Sequence, residues 1–158
     1  MINRFLLAFL VFLFVPSDSY AGQGDKIYEL PSSYIAKHID ATAGTRRVVM
    51  IYASWCPYCR QKMPAMMDLE RAKPGSVIAI SVDESGSDFA RYVKKMRDPP
   101  FELILSKDSE YKLANTLGRF GILPWEGIPY FILLDENNIP VSQGNFDPDY
   151  IDGFLGGK

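Results

Sequence analysis

The apolar positions of this chain fall into two patterns that alternate along it. Short continuous runs predict buried strands at Val48-Val49-Met50-Ile51-Tyr52-Ala53 and Val77-Ile78-Ala79-Ile80-Ser81-Val82, and Phe101 to Leu105 and Phe131-Ile132-Leu133-Leu134-Asp135 read as further strands. Between them, apolar residues recur at helical spacing. Tyr34, Ile35, His38 and Ile39 mark a helix over Pro31 to Thr42, and Met63, Met66, Met67 and Leu69 mark one over Arg60 to Lys73. Phe89, Tyr92, Val93 and Met96 mark a third, with Ser87 or Asp88 expected to cap it and Asp98-Pro99-Pro100 to stop it. Ser109 to Leu117 reads as a fourth, closed by Gly118. Pro64 is expected to kink the second helix, and Pro74-Gly75 to end it. Ile27 to Leu30 reads as a short edge strand. Glu136-Asn137-Asn138 is turn chemistry, and Ile139 to Gln143 returns as a hairpin strand, irregular or at an edge because of Pro140. Asp147-Pro148 starts a last helix carrying Tyr150, Ile151, Phe154 and Leu155.

Strand and helix in alternation imply an α/β fold with a parallel sheet covered by helices, and the closing hairpin makes the central sheet mixed. The 158 residues suffice for one domain, placed at 45–158, behind a leader and helix at 22–44. Residues 1–21 have a different character. Arg4 precedes the apolar run Phe5 to Val15, Pro16 and Ser17 break it, and Ser19-Tyr20-Ala21 puts small residues where a signal peptidase reads. Eleven apolar residues span about half of a bilayer core, so a cleaved signal is expected over an uncleaved anchor. Export would place the protein in an oxidising space, the periplasm. The net charge of −2 makes no case for nucleic acid.

The chemistry gathers at Trp55-Cys56-Pro57-Tyr58-Cys59, which holds both cysteines of the chain. The stretch lies where a strand turns into a helix, with Cys56 at the helix N-terminus. Backbone N–H groups there lack intrahelical partners, and that end of the helix is partly positive. A thiolate at such a point is stabilised, so the Cys56 thiol should ionise below the free value of about 8.5. Pro57 suits the first turn, where its missing N–H breaks no bond. Residues three apart on a helix share a face at a spacing that permits a disulfide. Cys56 therefore reads as the exposed attacking sulfur and Cys59 as the resolving sulfur one turn deeper. Arg60 and Lys62 add positive charge nearby.

Other readings compete. A Cys-x-x-Cys pair can be half of a zinc site, but zinc takes four ligands and this chain offers two cysteines and His38. A purely structural disulfide would close a very small loop and stabilise little. A copper-binding chaperone using Cys56, Cys59 and a methionine is the alternative function, though Met-rich faces serve core packing well. A peroxidase fits Ala53-Ser54-Trp55 poorly. Redox chemistry is the preferred reading, with no metal and no cofactor.

On these residues the chain resembles the thioredoxin fold and, within it, the exported TlpA-like thiol-disulfide oxidoreductases. The similarity spans roughly residues 45–156 and rests on Trp55 to Cys59, on Pro64 eight residues after Cys56, and on Gly127-Ile128-Pro129 before the hairpin. The resemblance implies a cis Ile128–Pro129 bond, with Pro124 the competing position, in a loop that faces the cysteines. There Ile128 would offer its backbone to an extended substrate segment, with Trp55, Pro57, Tyr58 and Pro129 beside it. It implies protein thiols or disulfides as substrates and leaves room for a membrane redox partner that resets the pair. Trp55, Tyr58, Trp125 and Tyr130 are expected to form an aromatic rim, and Tyr52 and Phe131 to be core.

Two departures stand out. Such reductases often carry a buried Asp where this chain has Met50, and a Glu where it has Lys62. A base in place of an acid favours thiolates, and a stabilised reduced form is a stronger oxidant. That tilts the expectation towards disulfide donation. Glu126 is left either as a local base or as a solvated loop residue.

Overall fold

The computed structural model describes residues 27–156. The expected signal segment lies outside them. Eleven principal elements follow in chain order: β1 (Ile27–Leu30), α1 (Ser32–Ala41), β2 (Arg47–Tyr52), α2 (Pro57–Ala72), β3 (Val77–Ser81), α3 (Gly86–Val93), β4 (Leu103–Ser106), α4 (Glu110–Leu117), β5 (Tyr130–Leu134), β6 (Pro140–Gly144) and α5 (Pro148–Leu155). The strands form one mixed sheet in the order β1-β4-β3-β2-β5-β6. β1 to β4 run parallel to one another, and β5 and β6 are antiparallel additions.

The period of two along each strand decides the layers. Val48, Met50 and Tyr52 of β2, Val77 and Ala79 of β3, and Phe131 and Leu133 of β5 face one core, filled by Met63 and Met66 of α2, Phe89 of α3 and Ile151 of α5. Val49 and Ile51, Ile78 and Ile80, and Ile132 and Leu134 face the other, filled by Ile35 and Ile39 of α1 and Leu113 and Leu117 of α4. β2, β3, β4 and most of β5 are therefore buried on both faces, as the continuous runs at β2 and β3 predict. Tyr52 and Phe131 are fully buried core, as expected.

α3 starts at Gly86, and Ser85, not Ser87 or Asp88, caps it by accepting the Asp88 N–H; the helix ends at Val93, before Met96. α2 continues through Pro64 to Ala72. Pro140 opens β6, which is an edge strand, and the β5–β6 register shifts between Leu133 and Leu134. A proline at that position leaves no ladder bond unmade in the middle of the sheet. β1 is the opposite edge, as expected. Arg47, the first residue of β2, is fully buried and reaches back to α1, donating to the carbonyl of Ile39 at 3.1 Å and to the hydroxyl of Thr42. Burial lowers its guanidinium pKa. Among the described residues no helix is long and apolar enough to cross a membrane.

Candidate active site

In a parallel sheet the loops after the strands' carboxyl ends gather at one edge, and sites form there. β2 and β3 are adjacent and parallel, so the loop carrying Cys56 and the loop carrying Asp83 emerge side by side. Cys56 is the N-cap of α2, with extended backbone, and Pro57 occupies the first turn. The Cys56 Sγ accepts the N–H of Cys59 at 3.1 Å, so a backbone group that the helix leaves unpaired points at the sulfur. Cys56 and Cys59 are joined as a disulfide, with their Cα atoms 5.2 Å apart. Both are buried: Cys56 is 3% exposed and Cys59 fully enclosed. The sequence reading of Cys56 as an exposed sulfur is thus corrected: the difference in access is slight.

The Ile128–Pro129 bond is cis. The carbonyl oxygen of Ile128 lies 3.6 Å from the Cys56 Sγ. A disulfide sulfur has no proton, so this is a contact; a thiol at Cys56 could donate to the same oxygen. Pro129 is buried while Ile128 is half-buried, so the loop presents the Ile128 backbone rather than the proline ring.

Of the expected aromatic rim, Trp55 and Tyr58 are 64% and 69% exposed; Trp55 precedes Cys56 and Tyr58 lies between the two cysteines. Trp125 does not belong to it. Trp125 is buried in the core beneath α1 and α4, stacks on Tyr130 with ring centres 5.9 Å apart, and donates its indole N–H to Glu110 of α4. Apolar area and the indole donor are both satisfied there, which exposure beside the cysteines would not achieve.

The charged candidates diverge. Lys62 donates to the carbonyl of Phe146 at 2.7 Å, pairs with Asp147 at 3.3 Å and lies 5.8 Å from the ring centre of Phe131. It ties α2 to the start of α5. Arg60 is exposed and turns towards Tyr92 of α3. Glu126 is exposed and has no hydrogen bond or ion pair among the described residues. Met50 is fully buried in the core that holds both cysteines, so an apolar thioether, and no carboxylate, stands at that position.

A further residue, Asp83, belongs to the site although no sequence motif marks it. It is 5% exposed and accepts from the amide of Ser54 at 2.8 Å, the hydroxyl of Ser54 at 2.7 Å and the hydroxyl of Ser81 at 2.5 Å. Its position just past a parallel strand was the available signal. Behind it, the Tyr52 hydroxyl is buried with no hydrogen-bond partner among the described residues. Desolvation, then Tyr92 and Asp83, hold the Tyr52 phenol well above its usual pKa. Desolvation pushes Tyr92 up to about 12, with Arg60 opposing and Asp83 adding. Both phenols are therefore neutral at ordinary pH. Among the described residues no three His, Cys, Asp or Glu side chains gather as a metal-binding set.

Residues 44–139 match the family model described as thioredoxin-like. No curated protein matches by sequence. Solved structures share the fold. A thiol:disulfide interchange protein of the thioredoxin family from Chlorobium tepidum aligns with a TM-score of 0.60 at 20% identity, over 73% of this chain and 81% of its own. The pneumococcal exposed lipoprotein thioredoxin Etrx1 from Streptococcus pneumoniae aligns with a TM-score of 0.60 at 16% identity, over 76% and 90%. A secreted disulfide oxidoreductase from Mycobacterium tuberculosis aligns with a TM-score of 0.52 at 19% identity, over 75% and 85%.

Proposed function

The chain belongs to the thioredoxin-like family, and from that premise we propose that it is a thiol-disulfide oxidoreductase exchanging disulfides with protein thiols through Cys56 and Cys59. The observation that carries this reading is the Cys59 N–H aimed at the Cys56 sulfur across the first turn of α2. That group and the helix dipole stabilise negative charge on Cys56 more than on a free thiol. Cys56 is then a good leaving group when the mixed disulfide is resolved.

Starting from the oxidised pair, a substrate thiolate attacks the Cys56 sulfur. The Cys56–Cys59 bond breaks, a mixed disulfide forms, and Cys59 leaves as a thiolate that takes a proton. A second substrate thiolate attacks the substrate sulfur of the mixed disulfide and releases Cys56 as a thiolate. The substrate gains one disulfide and loses two electrons, which the cysteine pair holds. Reduction of a substrate disulfide is the same sequence reversed. The Ile128 carbonyl, beside Cys56, is placed to pair with an extended substrate backbone. Met50 and Lys62 in place of two acids support donation as the favoured direction, and a membrane partner would reoxidise the pair. The signal-like residues 1–21 support export to the periplasm, where disulfides persist.

Oxidised protein mixed with a reduced, unfolded protein should consume two substrate thiols per chain, and a Cys59→Ala variant should trap a mixed disulfide at Cys56. A protein that neither consumes thiols nor traps a partner would refute the reading. N-terminal sequencing of exported material should find Gly22 first.

A further inference from the structure

Beside the cysteines lies a groove that the exchange chemistry does not use. It runs between α2 and the α3 segment, floored by Met63, Met67, Tyr92 and Met96. It opens at one end onto Trp55, the residue before Cys56. Arg60, Tyr92, Lys95 and Met96 line both parts, so the depression is continuous.

Its charge is opposite to that of the molecule. The chain carries a net charge of −2, yet residues 91–97 read Arg-Tyr-Val-Lys-Lys-Met-Arg, four cations and no acid. Two acids stand at the groove, and both are already matched: Asp88 pairs with Arg91 at 2.8 Å and Asp68 with Arg71 at 3.1 Å. Arg60, Lys95 and Arg97 pair with no carboxylate among the described residues. Three uncompensated cations thus surround an apolar floor of methionines and one neutral tyrosine. Folding does not require this arrangement: like charges held together repel, and each is exposed.

We propose that this groove docks an extended acidic segment of the partner protein, adjacent to the cysteine that reacts at Cys56. Carboxylates would meet Arg60, Lys95 and Arg97, and the intervening apolar atoms would lie on Met63, Met67 and Met96. The groove's mouth at Trp55 would deliver the next stretch of chain to the disulfide. The inference rests on the exchange reading and names its substrate class: proteins whose reactive cysteine is flanked by acidic residues.

The test separates docking from chemistry. Short fluorescent peptides with a central Ser, flanked by Glu, by Gln or by Lys, are titrated with the oxidised protein and followed by anisotropy. The Glu peptide should bind about tenfold tighter than the Gln peptide, with the Lys peptide weakest, and about 0.5 M salt should erase the difference. In Lys95→Glu/Arg97→Glu the ratio of Glu to Gln affinity should fall to one or below. Equal binding of all three peptides, or a preference that survives the double variant, would overturn the docking site. The matching Cys peptides then report exchange rates. If none reacts while the Glu preference holds, the exchange reading fails and the groove stands. If all react at one rate with no Glu preference in binding, the groove fails and exchange stands.

Discussion

Asp83 and Ser54 are joined twice, through the Ser54 amide at 2.8 Å and its hydroxyl at 2.7 Å, and this fastens the cysteine loop to the end of the neighbouring strand. The carboxylate is buried and also takes the Ser81 hydroxyl. Asp83→Ala strips acceptors from three buried donors, so it should destabilise the fold by about 3 kcal/mol. Asp83→Asn keeps one carbonyl acceptor and should lose less. Urea unfolding of the two variants checks the order. Equal stability of wild type and Asp83→Ala would show the junction to be slack.

The Cys56 thiol should ionise well below a free cysteine. In a Cys59→Ser variant the backbone amide that faces Cys56 remains, so thiolate absorbance near 240 nm should titrate at a pH between about 3.5 and 7.5. A midpoint near 8.5 would mean that the helix end contributes nothing.

Met50 shares the core with both cysteines, so it offers a direct test of the missing acid. Met50→Asp places a carboxylate near the pair, disfavours the thiolates and weakens the reduced form. The reduction potential should become more negative, by roughly 30 mV for each 1.4 kcal/mol lost from the reduced state. Equilibration with glutathione measures it. The same substitution buries a polar group without a partner and should lower stability.

Arg47 ties β2 to the carboxyl end of α1. Arg47→Ala should lose about 2–4 kcal/mol, because it leaves a cavity and takes a donor from both the Ile39 carbonyl and the Thr42 hydroxyl. Arg47→Met refills the space and removes a buried charge, so its loss should be smaller. Thermal unfolding compares them.

Asp108 accepts the Ser32 N–H at 2.7 Å and pairs with Lys112 at 2.8 Å. The Lys112 bond first, and then the Ser32 bonds, hold its pKa at about 2. A folded pKa below the unfolded one means stability that is present above the unfolded value and lost as pH falls through the folded value. The advantage of wild type over Asp108→Asn should therefore shrink between about pH 4 and pH 2. An advantage that is constant across that range would contradict the assignment.

Much of this molecule was written in local pattern. The continuous apolar runs of β2 and β3 are buried on both faces, and the helical spacing of Met63, Met66 and Met67 is a property of near neighbours, so strands, helices and the Cys56–Cys59 junction were legible along the chain. What the local pattern could not determine is which distant segments meet. Asp83 became part of the site only because β3 lies next to β2, which brings it to Ser54, 29 positions away along the chain. Trp125 reads as a surface aromatic beside Ile128, yet the fold turns it to the opposite core, where Glu110 takes its N–H. Lys62 reads as a charge for the sulfurs, yet its ammonium is held by the Phe146 carbonyl and the Asp147 carboxylate just before α5. In each case propensity is a property of a few consecutive residues, while burial and hydrogen-bond partnership are settled by the sheet order, and that order exists only once the chain has closed on itself.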